Sequence, residues 1–429
     1  MKISHYIIAA LTLAALAAPV AKAQNTTLSP YSRFGYGLLN DYASGSQRSM
    51  GSVGIAMNNS RQINVMNPAS YCAIDTLTFL FDIGVDLKQL NSVETLSDGT
   101  SAKGHRFTGG LDYITMQFPL GRFMGGSVGL LPYSQVGYSF GSEIVNGQDS
   151  HQGSGSINEL YLGVAAKPFK GFSIGFNISY LFGNLVNDTY LMSDGTSGGA
   201  TSTSLFERVT QVRDYNLRFG AQYSWNIGAK NRFTLGAVFT PAKSFHGHAY
   251  AIKYDVSSDS KPDTISPGVI SLKGHNSAPA TYGAGLSYHF DNRLYVEADF
   301  TYQPWKSAKF FEFPDFDATS FNDRWKAALG VQYTPSTRGG YLKRVNYRAG
   351  AFIDTDYIMV RGNKVKDIGV SVGFGLPAPV NRWTKTVVNV GFEYRHRTTS
   401  PIALVKENYF NVTIGINFNE LWFWQNKIQ

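Results

Sequence analysis

The stretch 76–88, TLTFLFDIGVDLK, decides the fold of this 429-residue chain. Its odd positions from Leu77 to Leu87 are apolar, whereas its even positions are polar or glycine, with Leu80 as the exception. Alternation with a period of two is typical of a β-strand with one apolar and one wet face. A run of about a dozen residues exceeds the usual soluble strand of about five or six residues. It matches a tilted transmembrane strand of about 9–11 residues.

The same alternation recurs along the rest of the chain. The clear repeats span residues 172–183, 215–225, 282–290, 294–302, 325–333, 368–376, 388–396 and 410–418, and noisier ones lie near 111, 128, 160, 233 and 345. In lipid every backbone N–H and C=O group needs a partner, so such a sheet must close on itself. We therefore predict an all-β fold, a transmembrane antiparallel β-barrel of about 14 strands over residues 76–419.

The links between these strands alternate in length. Tight turns are expected at 119–122, 167–171 and 291–293, and long polar links at 143–156, 186–208, 241–279 and 304–322. Short turns at one rim and long loops at the other are typical of outer-membrane barrels. The links 334–344 and 377–385 fall on the short-turn side although they are longer than a tight turn.

The two ends of the chain carry further signals. Residues 1–23 combine a basic start, an apolar run and the small-x-small sequence Ala21-Lys22-Ala23, which predicts a signal peptide and Sec-type export to the outer membrane. Residues 420–429 form an aromatic tail, interpreted as an interfacial girdle or as a recognition signal for an assembly machine. Cys72 is the single cysteine, so no disulfide framework is possible. The net charge of +8 is spread thinly, which excludes a nucleic-acid patch.

Residues 24–75 show neither helical nor strand periodicity, and we predict that they form a plug, or hatch, inside the barrel. The stretch 50–71, MGSVGIAMNNSRQINVMNPASY, is rich in small residues, as suits a segment that packs irregularly against many strands. The predicted plug residues are Gly51, Gly54, Asn67, Pro68, Ala69 and Ser70. Because Pro68 fixes its own φ and biases Asn67 towards extended backbone, this end of the stretch predicts the corner where the chain joins the wall.

Two motifs in this layout carry a family resemblance. They are Ser29-Pro30-Tyr31-Ser32-Arg33-Phe34-Gly35 and Asn67-Pro68-Ala69-Ser70-Tyr71. The chain resembles the FadL/TodX-like outer-membrane transporters of long-chain fatty acids and other hydrophobic compounds, in particular their Bacteroidetes-type members. The resemblance implies a 14-stranded barrel with an inward-folded hatch, an apolar lumen pocket and a sideways exit at a kinked strand. Acidic residues that the family often carries before Asn-Pro-Ala are replaced here by Asn58-Asn59-Ser60-Arg61.

The third strand contains the candidate for that sideways exit. Pro132 cannot donate to a β-ladder, and nearby glycines make the backbone permissive, so the sequence predicts either a lateral opening or an ordinary β-bulge. The residues of this kink are Gly125, Gly126, Gly129 and Pro132. By alternation, the lumen-facing candidates for a ligand carboxylate are Arg218, Arg324, Lys326 and Arg348. Lumen acids that can pair with them instead are Glu297, Asp299, Asp367 and Glu393.

Three functions compete on this evidence. The leading one is passive uptake of a fatty-acid-like hydrophobic small molecule through a lumen pocket and a lateral opening, with outer-membrane lipid as the other partner. The alternative is a barrel subunit of a secretion or surface-assembly machine, similar to PorV, with residues 186–208 and 241–279 as protein-binding surfaces. The second alternative is an outer-membrane enzyme, since Gly125-x-Ser127-x-Gly129 matches a nucleophile elbow but lacks its strand–turn–helix context. The sequence predicts no catalytic set, metal site or cofactor.

Overall fold

The computed structural model describes residues 29–95, 100–144, 146–193, 202–256, 263–314, 316, 318–336, 339–378 and 386–421. Fourteen long strands in this part of the chain form one closed antiparallel barrel. Their bounds are β1 Thr78–Thr95, β2 Ser101–Gly121, β3 Met124–Ile144, β4 Gly147–Phe169, β5 Phe172–Ser193, β6 Thr203–Ile227, β7 Asn231–Thr240, β8 Thr281–Phe290, β9 Leu294–Gln303, β10 Arg324–Tyr333, β11 Asn346–Val360, β12 Asn363–Pro377, β13 Val387–Ser400 and β14 Val405–Leu421. The predicted all-β barrel of about 14 strands is confirmed. The predicted signal peptide and the tail from Trp422 lie outside the described residues.

The barrel closes between its first and last strands. β1 pairs with β14 from Thr78 and Leu421 at one end to Glu94 and Val405 at the other. Consecutive strands pair in the same antiparallel way around the wall. Closure gives the backbone groups of these two strands the partners that hydrocarbon cannot supply.

The alternation seen in the sequence sorts side chains between lipid and lumen. In β12, buried and exposed positions alternate strictly from Asn363 to Gly375. The exposed positions include Ile368 and Val370, which face lipid, and the buried ones include Asp367, which faces the lumen. The wall is therefore apolar outside and polar inside, as a membrane barrel requires.

The wall is much taller on one side than on the other. β2 to β6 are 21 to 25 residues long, whereas β7 to β10 have 10 residues each. The prediction of long links at 143–156 and 186–208 is therefore wrong, because their described residues form the upper ends of β3 to β6 and the short β3–β4 turn. The inner faces of these upper ends pack against the elements at the barrel mouth, as the buried side chains of Tyr138 and Leu185 show, so the ladder continues after the apolar alternation has ended.

The links 241–279 and 304–322 hold short elements at the mouth of the barrel. These are the strands Lys243–Ser244, Gly247–Asp255, Asp263–Thr264, Ile270–Ser271, Ser277–Ala278 and Ser320–Phe321 and the 3₁₀-helix Trp305–Ser307. Gly247–Asp255 extends the wall by pairing with the upper part of β6. On the opposite, short-turn rim, the α-helix Tyr341–Arg344 precedes β11.

Residues 29–75, called the N-terminal segment below, contain only short elements. They are the 3₁₀-helices Pro30–Arg33 and Pro68–Ala73, the α-helix Gly45–Arg48 and the strand Leu38–Leu39. The segment is buried along most of its length, and Met50, Val53 and Ala56 have no exposed surface. None of the helices in the described chain is long and apolar enough to cross a membrane.

Candidate functional site

Two carboxylates of β9 hold the N-terminal segment by its backbone. Asp299 Oδ2 accepts hydrogen bonds from the N–H groups of Gly54 at 2.7 Å and Ile55 at 2.9 Å. Glu297 Oε1 accepts a third from Ala56 N–H at 2.6 Å. These acids, predicted as possible partners for lumen cations, therefore bind three consecutive backbone donors of the segment.

The residues Asn67 to Ser70 form a buried corner between the segment and the wall. Asn67 caps the helix that begins at Pro68: its Oδ1 accepts from Ala69 N–H at 3.0 Å. Its Nδ2 donates to Ile55 O at 2.7 Å, within the segment, and to Ala221 O at 3.2 Å, in β6. Ser70 Oγ donates to Asn67 O at 2.8 Å. One amide side chain thus joins the corner to the wall.

Lumen-facing glycines give the segment room to lie against the strands. A Cβ on Gly350 would overlap the Met50 carbonyl carbon, and one on Gly236 would overlap Ile55 O. Glycines of this kind on different strands are Gly125, Gly175, Gly220, Gly236, Gly330, Gly350 and Gly373. Within the segment, Gly51 has a φ of 71°, which favours glycine, and its N–H donates to Ser371 Oγ at 2.8 Å. The close approach of the segment's backbone to the wall depends on these missing side chains.

Aromatic side chains of the N-terminal segment, of the long links and of β11 pack together at the mouth of the barrel. The Tyr36 ring lies 4.9 Å from Phe245 and 5.2 Å from Phe310, between ring centroids. Trp305 packs on Tyr357 at 4.4 Å. The link 241–279, predicted as a protein-binding surface, therefore contributes part of its chain to a buried apolar cluster over the lumen. We call this cluster the lid.

A cavity of about 110 Å³ lies between the lid and the N-terminal segment. Phe245 and Trp305 line it from the lid, and Ile55 and Met66 line it from the segment. Tyr133 of β3 also lines it. Polar side chains also line it, among them Asp41, Asn216, Lys243 and Gln303. The cavity is thus bounded by both apolar and polar side chains from the lid, the N-terminal segment and the wall.

Two of the four predicted carboxylate-binding cations, Arg218 and Arg324, line this cavity. The Arg218 guanidinium lies over the Tyr42 ring, with 3.3 Å between Cζ and the ring centroid. Arg324 donates to both carboxylate oxygens of Asp354, at 3.1 and 2.6 Å. Each cation therefore has a protein partner at the cavity wall.

The other two cations, Lys326 and Arg348, are also engaged by the protein. Lys326 forms an ion pair with Asp41 of the N-terminal segment. Arg348 donates to Gln332 at 2.8 Å and Asn389 at 2.6 Å. The remaining predicted partner acids pair elsewhere, Asp367 with Arg397 and Glu393 with Arg395.

The wall is interrupted between β2 and β3. Their ladder runs from the pair Gly121 and Met124 to the pair Ile114 and Leu130. Beyond that point, within the described residues, β2 pairs only with β1. β3 pairs instead with β4 and, at two residues, with the N-terminal segment. Pro132 lies just past the last pair, at a register shift against β4. We call this interruption the wall break.

The predicted kink residues differ in their relation to the wall break. Gly125, Gly126 and Gly129 all lie in the part of β3 that is paired with β2. A Cβ on Gly125 would overlap the Tyr71 carbonyl oxygen, so this glycine accommodates the N-terminal segment. Pro132 alone among the four lies at the break itself.

The N-terminal segment occupies part of the wall break. Its strand Leu38–Leu39 pairs antiparallel with Gln135 and Ser134 of β3. The next residue, Asn40, donates its N–H to Tyr133 O at 3.0 Å. Because Leu39 and Asn40 also line the cavity, this short strand separates the cavity from the break.

Ser127, the residue of the nucleophile-elbow pattern, is buried within β3. Its Oγ donates to Met116 O at 2.7 Å and lies 2.9 Å from the Tyr161 hydroxyl. It has no exposed surface. The turn that would present a nucleophilic serine to a substrate is replaced by an ordinary strand.

The family follows from a match over almost the whole chain. The BamG family model matches residues 3–429. The chain belongs to the BamG family. No curated protein is found to match it. The barrel and this outer-membrane family together place the chain in the outer membrane, as the sequence predicts.

Solved structures share the fold of this BamG-family chain. The toluene transporter TodX of P. putida has a TM-score of 0.61 and 15% identity, covering 90% of this chain and 100% of its own. A FadL homologue of Pseudomonas aeruginosa has a TM-score of 0.60 and 11% identity, covering 90% and 99%. The monoaromatic hydrocarbon channel CymD has a TM-score of 0.58 and 14% identity, covering 91% and 100%. The predicted FadL/TodX resemblance is confirmed at the level of fold, and the Bacteroidetes assignment stays a prediction.

Sequence reasoning missed three parts of this BamG-family site. The role of Glu297 and Asp299 depends on where the segment lies, which no periodicity reveals. The lumen-facing glycines occupy the polar face of their strands, so the alternation of the sequence could have identified them. The lid also had a signal, since residues 305–321, WKSAKFFEFPDFDATSF, are unusually aromatic for an exposed loop.

Proposed function

We propose that this barrel takes up hydrophobic small molecules and releases them sideways into the membrane. The observation that carries the proposal is the wall break, where the β2–β3 ladder ends at Leu130. The N-terminal segment fills the lumen below and the lid covers it above. A solute in the cavity therefore has its shortest exit through the wall.

The route has three steps, all without an energy source. A ligand passes the lid, enters the cavity and leaves through the wall break after the strand Leu38–Leu39 has moved aside. The driving force is the transfer of apolar ligand surface out of water, worth roughly 25 cal/mol per Å². Lateral release spares the ligand a passage through the polar contacts of the N-terminal segment.

The size of the cavity favours compact ligands over long-chain fatty acids. An apolar cavity of about 150 Å³ binds benzene, so the smaller cavity here, of about 110 Å³, leaves room for a compact ligand at most. The names of TodX and CymD, a toluene transporter and a monoaromatic hydrocarbon channel, agree with this size. A fatty acid requires a larger space and a free cation, whereas Arg218 and Arg324 are both engaged. We therefore propose ligands of roughly one aromatic ring.

A disulfide across the short strand tests the lateral route. Leu39→Cys with Ser134→Cys joins a paired position in a Cys72→Ala background. Antiparallel pairs lie about 4.5–5.5 Å apart between Cα atoms, within the disulfide range of about 4.4–6.8 Å. Uptake of labelled toluene and of labelled palmitate is measured in cells that carry the full chain in their outer membrane.

We expect the oxidised lock to reduce toluene uptake to the level of cells without the barrel, and a reducing agent to restore it. Palmitate uptake should be low throughout. The matched control is Ile83→Cys with Ile416→Cys, a pair in the β1–β14 seam, which should leave uptake unchanged. Undiminished toluene uptake in the locked barrel would refute lateral release.

A second candidate function, docking of a protein partner, is favoured by the height of the wall. β2 to β6 rise well above the short strands β7 to β10 and offer a broad ribbon of strands to another protein. Co-purification of the full chain in mild detergent tests this function. Docking would be favoured over transport if a stable large partner co-purifies and if toluene uptake does not change when the disulfide between positions 39 and 134 forms.

A further inference from the structure

The short-turn rim of the barrel carries mostly positive charge. Its exposed and half-exposed cations are Arg61, Arg122, Lys167, Lys170, Lys230, Arg232, Arg293, Lys343 and Arg344. The carboxylates at the same rim, within the described residues, are Asp75, Asp291 and Glu420. These cations are far apart in the sequence, and the alternation of turns and loops collects them on one rim. We call this set of cations the basic rim.

The opposite rim shows no such imbalance. Its acids include Glu143, Asp149, Asp188, Glu207, Asp255, Asp263, Glu312 and Asp323. Its cations include Lys103, Arg106, Lys253, Lys273, Lys306, Lys309, Arg361, Lys364, Lys366 and Lys406. Acids and cations are therefore nearly balanced at this rim. The excess of positive charge is thus specific to the short-turn side.

Few of the charges of the basic rim are neutralised within the protein. Among the described residues, Asp291 is the one carboxylate that forms ion pairs with them. Its Oδ2 lies 4.0 Å from Lys230 Nζ and 3.8 Å from Arg293 Nε. Both lysine and arginine are more than half exposed at these pairs, and such long, exposed pairs contribute little. The rim therefore presents its charge to an external partner.

Exposed aromatic and apolar side chains lie directly beside these cations. Phe123 is 56% exposed and Arg122 lies over its ring, 5.3 Å from Cζ to the centroid. Phe169, next to Lys170, is 60% exposed. Leu342, next to Lys343, is 70% exposed. Aromatic residues gather where a membrane meets water, which places the basic rim at the level of lipid headgroups.

We propose that the basic rim binds the headgroups of anionic phospholipids in the inner leaflet of the outer membrane. Short turns of such barrels face the periplasm, so this rim meets the inner leaflet. A phosphate group beside an acyl chain matches a cation beside an exposed apolar side chain. An acidic protein surface would match the charge but not the apolar neighbours. This binding is independent of the transport route, because none of the rim residues lines the cavity or the wall break.

Native mass spectrometry of the full chain in mild detergent tests the proposal. Phosphatidylglycerol and phosphatidylcholine with identical acyl chains are titrated separately. We expect phosphatidylglycerol to bind about tenfold tighter or more, since each nearby basic residue attracts anionic lipid. The preference should shrink at high salt, because ions screen exposed charges.

Two matched variants assign the effect to the rim. Lys167→Gln/Lys170→Gln/Lys230→Gln removes three rim charges, and we expect it to lose most of the preference for phosphatidylglycerol. Lys273→Gln/Lys306→Gln/Lys309→Gln removes three exposed lysines from the opposite rim and should keep the preference. Heat-dependent mobility on a gel verifies that each variant is folded. If the first triple fails to fold, Arg122→Gln replaces it and should weaken binding about fivefold.

Three results would overturn the proposal. Equal affinity of the parent chain for the two lipids would mean that the charge selects no headgroup. An equal loss in the two triple variants would mean that the effect is one of net charge alone. Unchanged lipid binding in the rim variant, with loss of a co-purifying acidic protein, would assign the rim to a protein partner instead.

Discussion

Two seams of the same wall show how this barrel differs from a simple cylinder. The β1–β14 seam is paired without interruption from Thr78 to Glu94. The β2–β3 seam is paired only from Gly121 to Ile114, although both of its strands continue well beyond that point. The difference cannot come from strand length. It comes from the backbone irregularities that the second seam contains and the first lacks.

Both strands of the interrupted seam are irregular near the same level. β2 has a register shift against β1 between Gly84 and Val85, which inserts Asp112 as an extra residue. β3 has a shift against β4 between Pro132 and Ser134. Bulges bend a strand and increase its twist, so the two strands separate above this level. Two bulges at the same level can therefore open a membrane barrel locally, while the strand pairs elsewhere in the wall remain intact.

The inserted residue of β2 also binds the N-terminal segment. Asp112 accepts from Arg48 Nη2 at 2.8 Å. Its neighbour Tyr113 also points inwards, and its hydroxyl accepts from Gly45 N–H at 2.8 Å. In a regular strand, neighbouring side chains would point to opposite faces. The bulge that opens the wall thus supplies two adjacent contacts to the segment beside the opening.

The largest effect is expected from a proline in the intact seam. Ile414→Pro removes a backbone donor in the middle of β14, where residue 414 is paired with Val85 and Val390. An unsatisfied backbone group in hydrocarbon costs several kcal/mol, so we expect this variant not to assemble. The measurement is the amount of heat-modifiable protein in the outer membrane. Ile414→Val is the control and should assemble normally, and normal assembly of Ile414→Pro would show that this seam tolerates a break.

A smaller but still large effect is expected where the bulge meets the segment. Arg48→Ala leaves Asp112 without its cation, and Asp86 with only Lys88. Removing one partner of a buried ion pair costs about 3–5 kcal/mol, so the urea midpoint of the barrel in lipid vesicles should fall clearly. Arg61→Ala, an exposed arginine of the same segment, should leave the midpoint unchanged. Equal midpoints for the two variants would mean that the bulge residue does not anchor the segment.

A third effect concerns the lumen-facing glycines that lie against the N-terminal segment. Gly350→Val places a branched side chain against Met50 of the segment. Overpacking costs about 1–3 kcal/mol, and we expect the segment to be displaced. Cells with this variant should become more permeable to small hydrophilic solutes, as measured by uptake of a chromogenic antibiotic. The control is Ala351→Val on the lipid face of the same strand, and equal permeability of the two variants would contradict this role of the glycine.

The fold could be predicted from the sequence because alternation reports directly which side of a strand meets lipid. The stretch 76–88 predicted β1, which extends further, to Thr95, beyond the end of the apolar alternation. The neighbours of each strand followed from chain order. Pro132 drew attention to β3, but the sequence left open whether it marks a lateral opening or an ordinary bulge, and the opening stays a prediction.

The contacts of the N-terminal segment could not be predicted in the same way. Lys326 was expected to face the lumen, but its partner Asp41 lies 285 positions earlier, in a segment without periodicity. The same is true of Arg218 and Tyr42. Alternation assigns a side chain to the lumen but gives no information about what else the lumen contains.

The smallest effect is expected from a substitution of Pro132, the residue from which the sequence predicts an opening or a bulge in β3. Pro132 has no partner on β2, and the β2–β3 ladder already ends at Leu130. Pro132→Ala restores a backbone donor but leaves both bulges, so the strands should stay apart. We expect a stability change within about 0.5 kcal/mol and toluene uptake within about twofold of the parent chain. A large fall in uptake would show that the proline itself keeps the wall open. The cause of the break would then be the missing backbone N–H of Pro132 and not the two bulges.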